Sequence, residues 1–190
     1  GKTRVLAHKI AFLIASKKAA PQGILAVTFT NKAAREMSER VQQLVGPLSR
    51  LIQVSTFHAF GLKLLFRNQD ALEKAGVRKG FVVFDRGDAK SIVKNIMEEL
   101  NLDSKEIEPS TLIEKISQIK NEMDPIDLLP PPGSVDSITG PVFKRYQELL
   151  REHNALDFDD LLVLPLHLLA SDPQVRERER ERIGWVLVDE

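Results

Sequence analysis

The chain has no cysteine, which rules out both a disulfide framework and a thiolate metal site. It has no apolar run near the roughly 20 residues that cross a bilayer, and its start carries no signal-peptide pattern, so the expected setting is cytoplasmic with no membrane partner. No internal repeat stands out. Acids are nearly missing from the first third: residues 1–68 hold eleven Lys or Arg against Glu36 and Glu39 alone, while the remainder holds sixteen bases against twenty-five acids. A net charge of zero therefore hides a basic segment joined to an acidic one, and polyanion contacts are expected in the first. What is present is ordinary for a globular chain: 43% hydrophobic and 28% charged residues over 190 positions. That length allows one substantial core, or a core domain with a smaller insertion.

Val5, Leu6, Ile10, Leu13 and Ile14 recur at helical spacing directly after the opening GKT, and that helix stops before Pro21 and Gly23. ILAVTF (24–29) reads as a short buried strand. Asn31 stands where it can cap the next helix, whose apolar residues Ala34, Met37, Val41 and Leu44 share one face up to Gly46-Pro47. LIQVS (51–55) reads as a second strand, and the chain turns helical again from Thr56. Helix, strand, helix, strand, helix is the order of a parallel α/β sheet.

From about residue 70 the rhythm changes. FVVFD (81–85) is a brief extended piece, followed by helices starting near Asp85, near Ser110-Thr111 with Glu114 spaced for a capping box, and near Pro141. PPPGS (130–134) is the clearest linker. The middle thus reads as all-helical, as an insertion between strands of a sheet would. LDFDDLLVLPLHLLA (156–170) starts another helix, Asp172-Pro173 caps the next, and RERERER (176–182) reads as a solvated face. WVLVDE (185–190) is an apolar strand ending in two acids.

The two ends carry the chemistry. A P-loop site needs a helix whose N-terminus faces the phosphates, a Lys that reaches them, and a following hydroxyl for magnesium. Gly1, Lys2 and Thr3 have that order, although the tripeptide alone is common at helix starts. The site also needs an acid at the end of a neighbouring strand, and Asp189 with Glu190 fits this. Between the ends, TFTNKAAREM (28–37) and STFHAFG (55–61) each place hydroxyls, an amide or an aromatic where a strand hands over to a helix. Ligand sites gather at such carboxyl ends of parallel strands. Phe57 and His58 lie in the second turn; a Phe at a strand end is usually core, and the lone His has no visible metal partner.

Together these stretches resemble the superfamily 1 DNA helicases of the UvrD/PcrA/Rep type. GKT with RVL, TFTNKAAREM, STFHAFG, LDFDDLL and VLVDE occur in that family's order and cover nearly the whole chain. The resemblance implies a RecA-like P-loop NTPase fold with a parallel sheet and a mainly helical inserted subdomain. Residues 1–70 would then be the first part of ATPase domain 1A, 71–150 the insertion 1B, and 151–190 the return to 1A. It implies ATP and Mg²⁺ as cofactors, and single-stranded DNA and duplex junctions as partners.

By the same resemblance Lys2 is the phosphate-binding lysine, Thr3 the magnesium-binding hydroxyl, and Gly1 and Arg4 lie near the nucleotide. Asp189 is the magnesium acid, acting through water, and Glu190 the catalytic base. Thr28, Phe29, Thr30, Asn31, Thr56, His58 and Phe158 contact DNA, although by its residues alone Phe158 reads as core beside Leu156 and Leu161. The family's upstream glutamine segment, the first glycines of the loop and the second motor domain have no counterpart here, so the chain is expected to be an inactive fragment of a 3′ to 5′ translocase or helicase. The ATPase half of a helicase-nuclease subunit, a non-motor P-loop enzyme such as a kinase, and a plain nucleic-acid-binding module are the alternatives.

Overall fold

The computed structural model describes residues 2–103, 107–126 and 128–189, which form two compact units: Gly1–Lys63 with Pro173–Glu190, and Leu64–Asp172. In the first unit, helix α1 (Lys2–Ala15) precedes strand β1 (Ile24–Thr28), helix α2 (Asn31–Val45), strand β2 (Gln53–Thr56) and the start of helix α3 (Phe57–Arg67). After the second unit the chain returns through helix α9 (Pro173–Arg182) and strand β5 (Trp185–Asp189). The three strands are parallel in the order β2-β1-β5. Every residue of β1 is buried, as a central parallel strand of Ile, Leu, Ala and Val should be. The core of this unit joins Ala7 and Ile10 of α1, Met37 and Val41 of α2, Ala26 of β1 and Leu187 of β5.

Local chemistry sets the boundaries of these elements. Thr30, not Asn31, caps α2: its hydroxyl accepts from the Ala33 amide at 3.1 Å, one residue earlier than the sequence spacing suggests. The helix ends at Gly46, whose φ of +61° with ψ of −133° suits a residue without a Cβ. Pro47 then opens a 3₁₀ segment (Gly46–Leu51), which delays β2 by two residues relative to the expected strand at 51–55. RERERER is less solvated than its charge pattern implies. Glu179 is buried, accepts from Arg182 at 2.8 Å, and Arg182 in turn donates to Gln53 of β2.

The second unit is mostly helical. It holds α4 (Gln69–Lys74), α5 (Arg86–Glu99), α6 (Pro109–Glu122), α7 (Thr139–Glu152) and α8 (Asp160–Ser171). A two-residue parallel pair, β3 (Val82–Val83) with β4 (Ala155–Leu156), corrects the all-helical expectation; strands this short leave no periodicity to read. α6 starts at Pro109, and its N-cap residue Glu108 makes no side-chain cap, so the expected capping box with Glu114 is not formed. α7 starts at Thr139 and not at Pro141, because the Asp136 carboxylate accepts from the Ile138 and Thr139 amides. At α5 the expectation holds: Asp85 accepts from Gly87 and Asp88 amides, and the Asp88 carboxylate returns to the Asp85 amide. Asp85→Ala should therefore lower stability by about 1 kcal/mol in urea denaturation. A core of Val93, Ile96, Leu112, Ile116, Val142 and Tyr146 ties α5, α6 and α7 together.

Candidate phosphate and nucleic-acid site

Parallel pairing in register puts Thr28, Thr56 and Asp189 side by side at the carboxyl ends of β1, β2 and β5. Three helices begin at or next to this edge, and none of α1, α2 or α3 carries an acid in its first turn. Their positive ends are therefore left available to an anion.

At the head of α1 the Thr3 hydroxyl donates to Asp189 Oδ2 at 2.6 Å, across 186 residues of sequence. A separation this short is typical of a hydroxyl on an ionised carboxylate. The other oxygen, Asp189 Oδ1, is buried and has no hydrogen-bond partner. A buried carboxylate oxygen left unpaired is costly unless a cation or water completes it. One hydroxyl and one carboxylate are hard oxygen donors, and they suit Mg²⁺ bound chiefly by water and phosphate. No group of three or more His, Asp or Glu that could hold a metal ion occurs among the described residues. The donor set and the orphaned oxygen fit the metal that the sequence implies. Lys2 and Arg4 flank Thr3 and are both exposed. Arg4 also borders a groove of about 480 Å³ between α1 and α2, with His8, Glu36, Arg40 and Leu44. Gly1 and Glu190 lie outside the described residues.

The two strand-to-helix turns divide their residues by role. Thr28 is fully buried and its hydroxyl donates to the Thr30 carbonyl; Thr56 is also buried and its hydroxyl accepts from the Ala59 amide. Both hydroxyls are engaged in shaping their turns and are buried. Thr30 and Asn31 are exposed and His58 is half-buried. Phe29 is 66% exposed, an unusual position for a large apolar side chain at a strand end. Its ring meets that of Phe57 at 5.2 Å between centroids with a tilt of 53°. Phe57 thus joins the site as the support of an aromatic platform. Its place in the STFHAFG turn was the available signal, and the usual burial of Phe argued against it.

In the second unit Phe158 is 49% exposed, so the core-packing reading of this ring is set aside. It stands in a tight turn: the Asp160 amide donates to Asp157 and the Asp157 amide donates to Asp160, both at 3.0 Å. Beneath the turn Lys120, 1% exposed, reaches Asp157 at 2.7 Å and Asp160 at 2.8 Å, and the Tyr146 hydroxyl adds a bond to Asp157 at 3.0 Å. Burial works against the Lys120 ammonium, but the charges of Asp160 and Asp157 outweigh it and hold its pKa above the usual value. Burial raises both acids; the Lys120 charge wins at Asp157, whereas at Asp160 burial and the neighbouring carboxylate push the group up to about 6. Lys120 escaped the sequence reading because its partners lie 37 and 40 residues away.

The sequence model of the UvrD/REP helicase N-terminal domain matches residues 1–190. An ATP-dependent DNA helicase PcrA from Staphylococcus aureus (strain Mu50) is 41% identical over the whole chain, and those of Bacillus subtilis (strain 168) and Staphylococcus epidermidis are 40% identical. The chain spans 26% of the length of each of these relatives. With that match along its full length, the chain belongs to the UvrD/REP helicase N-terminal domain family.

Proposed function

We propose that this chain is the first part of an ATP-driven motor that moves 3′ to 5′ along single-stranded DNA and unwinds duplex at junctions, in DNA repair or replication. The observation that carries the reading is the Thr3–Asp189 pair with its unpartnered Oδ1, at the same sheet edge as an exposed aromatic platform. A nucleotide site without a DNA surface, or the reverse, would leave one of these without a use. The names of the relatives support the same reading. The division into domain 1A (1–70 and 151–190) and insertion 1B (71–150) is part of this proposal.

In this mechanism the α1 N-terminus and Lys2 hold the β and γ phosphates of ATP, with Gly1 assigned to the same nucleotide site. Thr3 and Asp189 would hold magnesium, which would supply charge neutralisation on the phosphates. Glu190, the residue after Asp189, takes a proton from the attacking water, and Arg4 lies beside the nucleotide. Phe29, supported by Phe57, stacks on a base, and Thr30, Asn31 and His58 contact the backbone around it. Phe158 offers a second stacking face. A second RecA-like domain, beyond the residues described here, closes on the nucleotide and couples hydrolysis to a step along DNA.

The DNA surface is testable on the 190-residue chain. Its affinity for oligo(dT) should fall steeply as salt rises, since phosphate contacts release counterions. Phe29→Ala should weaken binding roughly tenfold at every salt concentration, because stacking is lost and no charge is removed. Fluorescence anisotropy titrations read both effects. Affinity that stays level across a tenfold rise in salt contradicts the reading.

A further inference from the structure

The LDFDDLL turn sits on more machinery than a surface ring needs for burial alone. Its first and last acids are locked to each other's amides, and both are anchored on Lys120 beneath. The middle acid is gripped as well: Asp159 Oδ1 accepts from Ser117 at 2.9 Å and from Asn121 at 3.0 Å. Ser117, Lys120 and Asn121 occupy one face of α6, one turn apart. All three acids around Phe158 are therefore held from a single helix, while the ring between them is half exposed.

A buried cation that pairs two carboxylates is a poor way to gain stability, because taking three charges out of water costs several kcal/mol per ion. In some proteins such a group is retained for the fixed geometry it imposes. We propose that Lys120, with Ser117 and Asn121, is a positioning residue that fixes the 157–160 turn so that the Phe158 ring is held ready to stack on a base. The inference rests on the single-strand reading above and adds to it a part for α6. A ring that is already immobile loses little entropy on binding, so stacking on it is stronger than on a free side chain.

Ring mobility and DNA affinity are read separately in the 190-residue chain. Trp185→Phe removes the one native indole, and Phe158→Trp places a reporter in the turn. The anisotropy of that reporter should be high, and Lys120→Met should lower it towards that of a freely rotating side chain. Should Lys120→Met fail to fold, the pair Ser117→Ala with Asn121→Ala releases Asp159 and leaves the buried charges in place; it should loosen the reporter in the same sense. With the native ring, Phe158→Ala and Lys120→Met should each weaken oligo(dT) binding roughly tenfold, and the double variant no further. Losses that multiply in the double variant, or a reporter as rigid as before with wild-type binding intact, overturn the proposal alone. A wild-type chain that does not bind oligo(dT) overturns it together with the single-strand reading.

Discussion

Lys2→Ala in the full-length protein should lower steady-state ATP hydrolysis by on the order of 10²–10³-fold or more, with the fold unchanged. Lys2 is exposed on the first turn of α1 and is not a member of the core cluster of Ala7, Ile10 and Leu187. The loss is thus one of chemistry. The charge that meets developing negative charge on the phosphates is gone, while the helix that carried it remains. Asp189→Asn should give a loss of the same order by another route. The amide oxygen can still accept from Thr3, but an NH2 group then replaces the buried carboxylate oxygen that has no hydrogen-bond partner, and an NH2 cannot ligate a cation. If phosphate release by either variant stays within a few fold of the native rate, the proposed roles of Lys2 and Asp189 are wrong.

Lys120→Met should cost about 3–5 kcal/mol in stability at neutral pH, because it leaves Asp157 and Asp160 buried with no counter-charge. The pH dependence follows from the directions of the shifts. In the native chain Asp157 is depressed, so its contribution is present above the usual carboxylate range and is lost as pH falls. Asp160 is raised to about 6, so it opposes folding as pH climbs from about 4 to 6. Without Lys120, burial and mutual repulsion raise both carboxyls, and protonation then favours the folded state. The deficit of the variant should accordingly narrow as pH falls from 6 towards 4. Urea denaturation across that range reads the effect, and a deficit that widens in acid contradicts the description of the cluster.

Much of the first unit was legible because buried parallel strands are short apolar runs and their helices start at hydroxyl or glycine signals. ILAVT, buried throughout, and WVLV, whose Trp185, Val186 and Val188 are exposed, are both apolar runs recognisable without a partner, and their pairing follows from the βα order. Boundaries slipped where two capping groups were adjacent, as with Thr30 and Asn31, or where Pro47 imposed a turn before β2. The meeting of Thr3 with Asp189 followed from what a phosphate site requires, not from any local pattern. Long-range polar chemistry was the illegible part. Lys120 follows the apolar positions Leu112, Ile116 and Ile119 on α6, and its charge gives no hint that it lies inside. Glu179 was hidden by its own repeat, because six similar neighbours made one buried acid look solvated.

The proposed nucleotide site and the proposed single-strand surface share one sheet edge, so the most direct test is whether one governs the other. ATP hydrolysis by the full-length protein should be measured with and without oligo(dT), for the native protein and for Phe29→Ala. The prediction is that oligo(dT) strongly stimulates native hydrolysis, and that Phe29→Ala shifts the half-maximal oligo(dT) concentration upward by roughly tenfold. Hydrolysis that proceeds at the same rate whether or not oligo(dT) is present would contradict it.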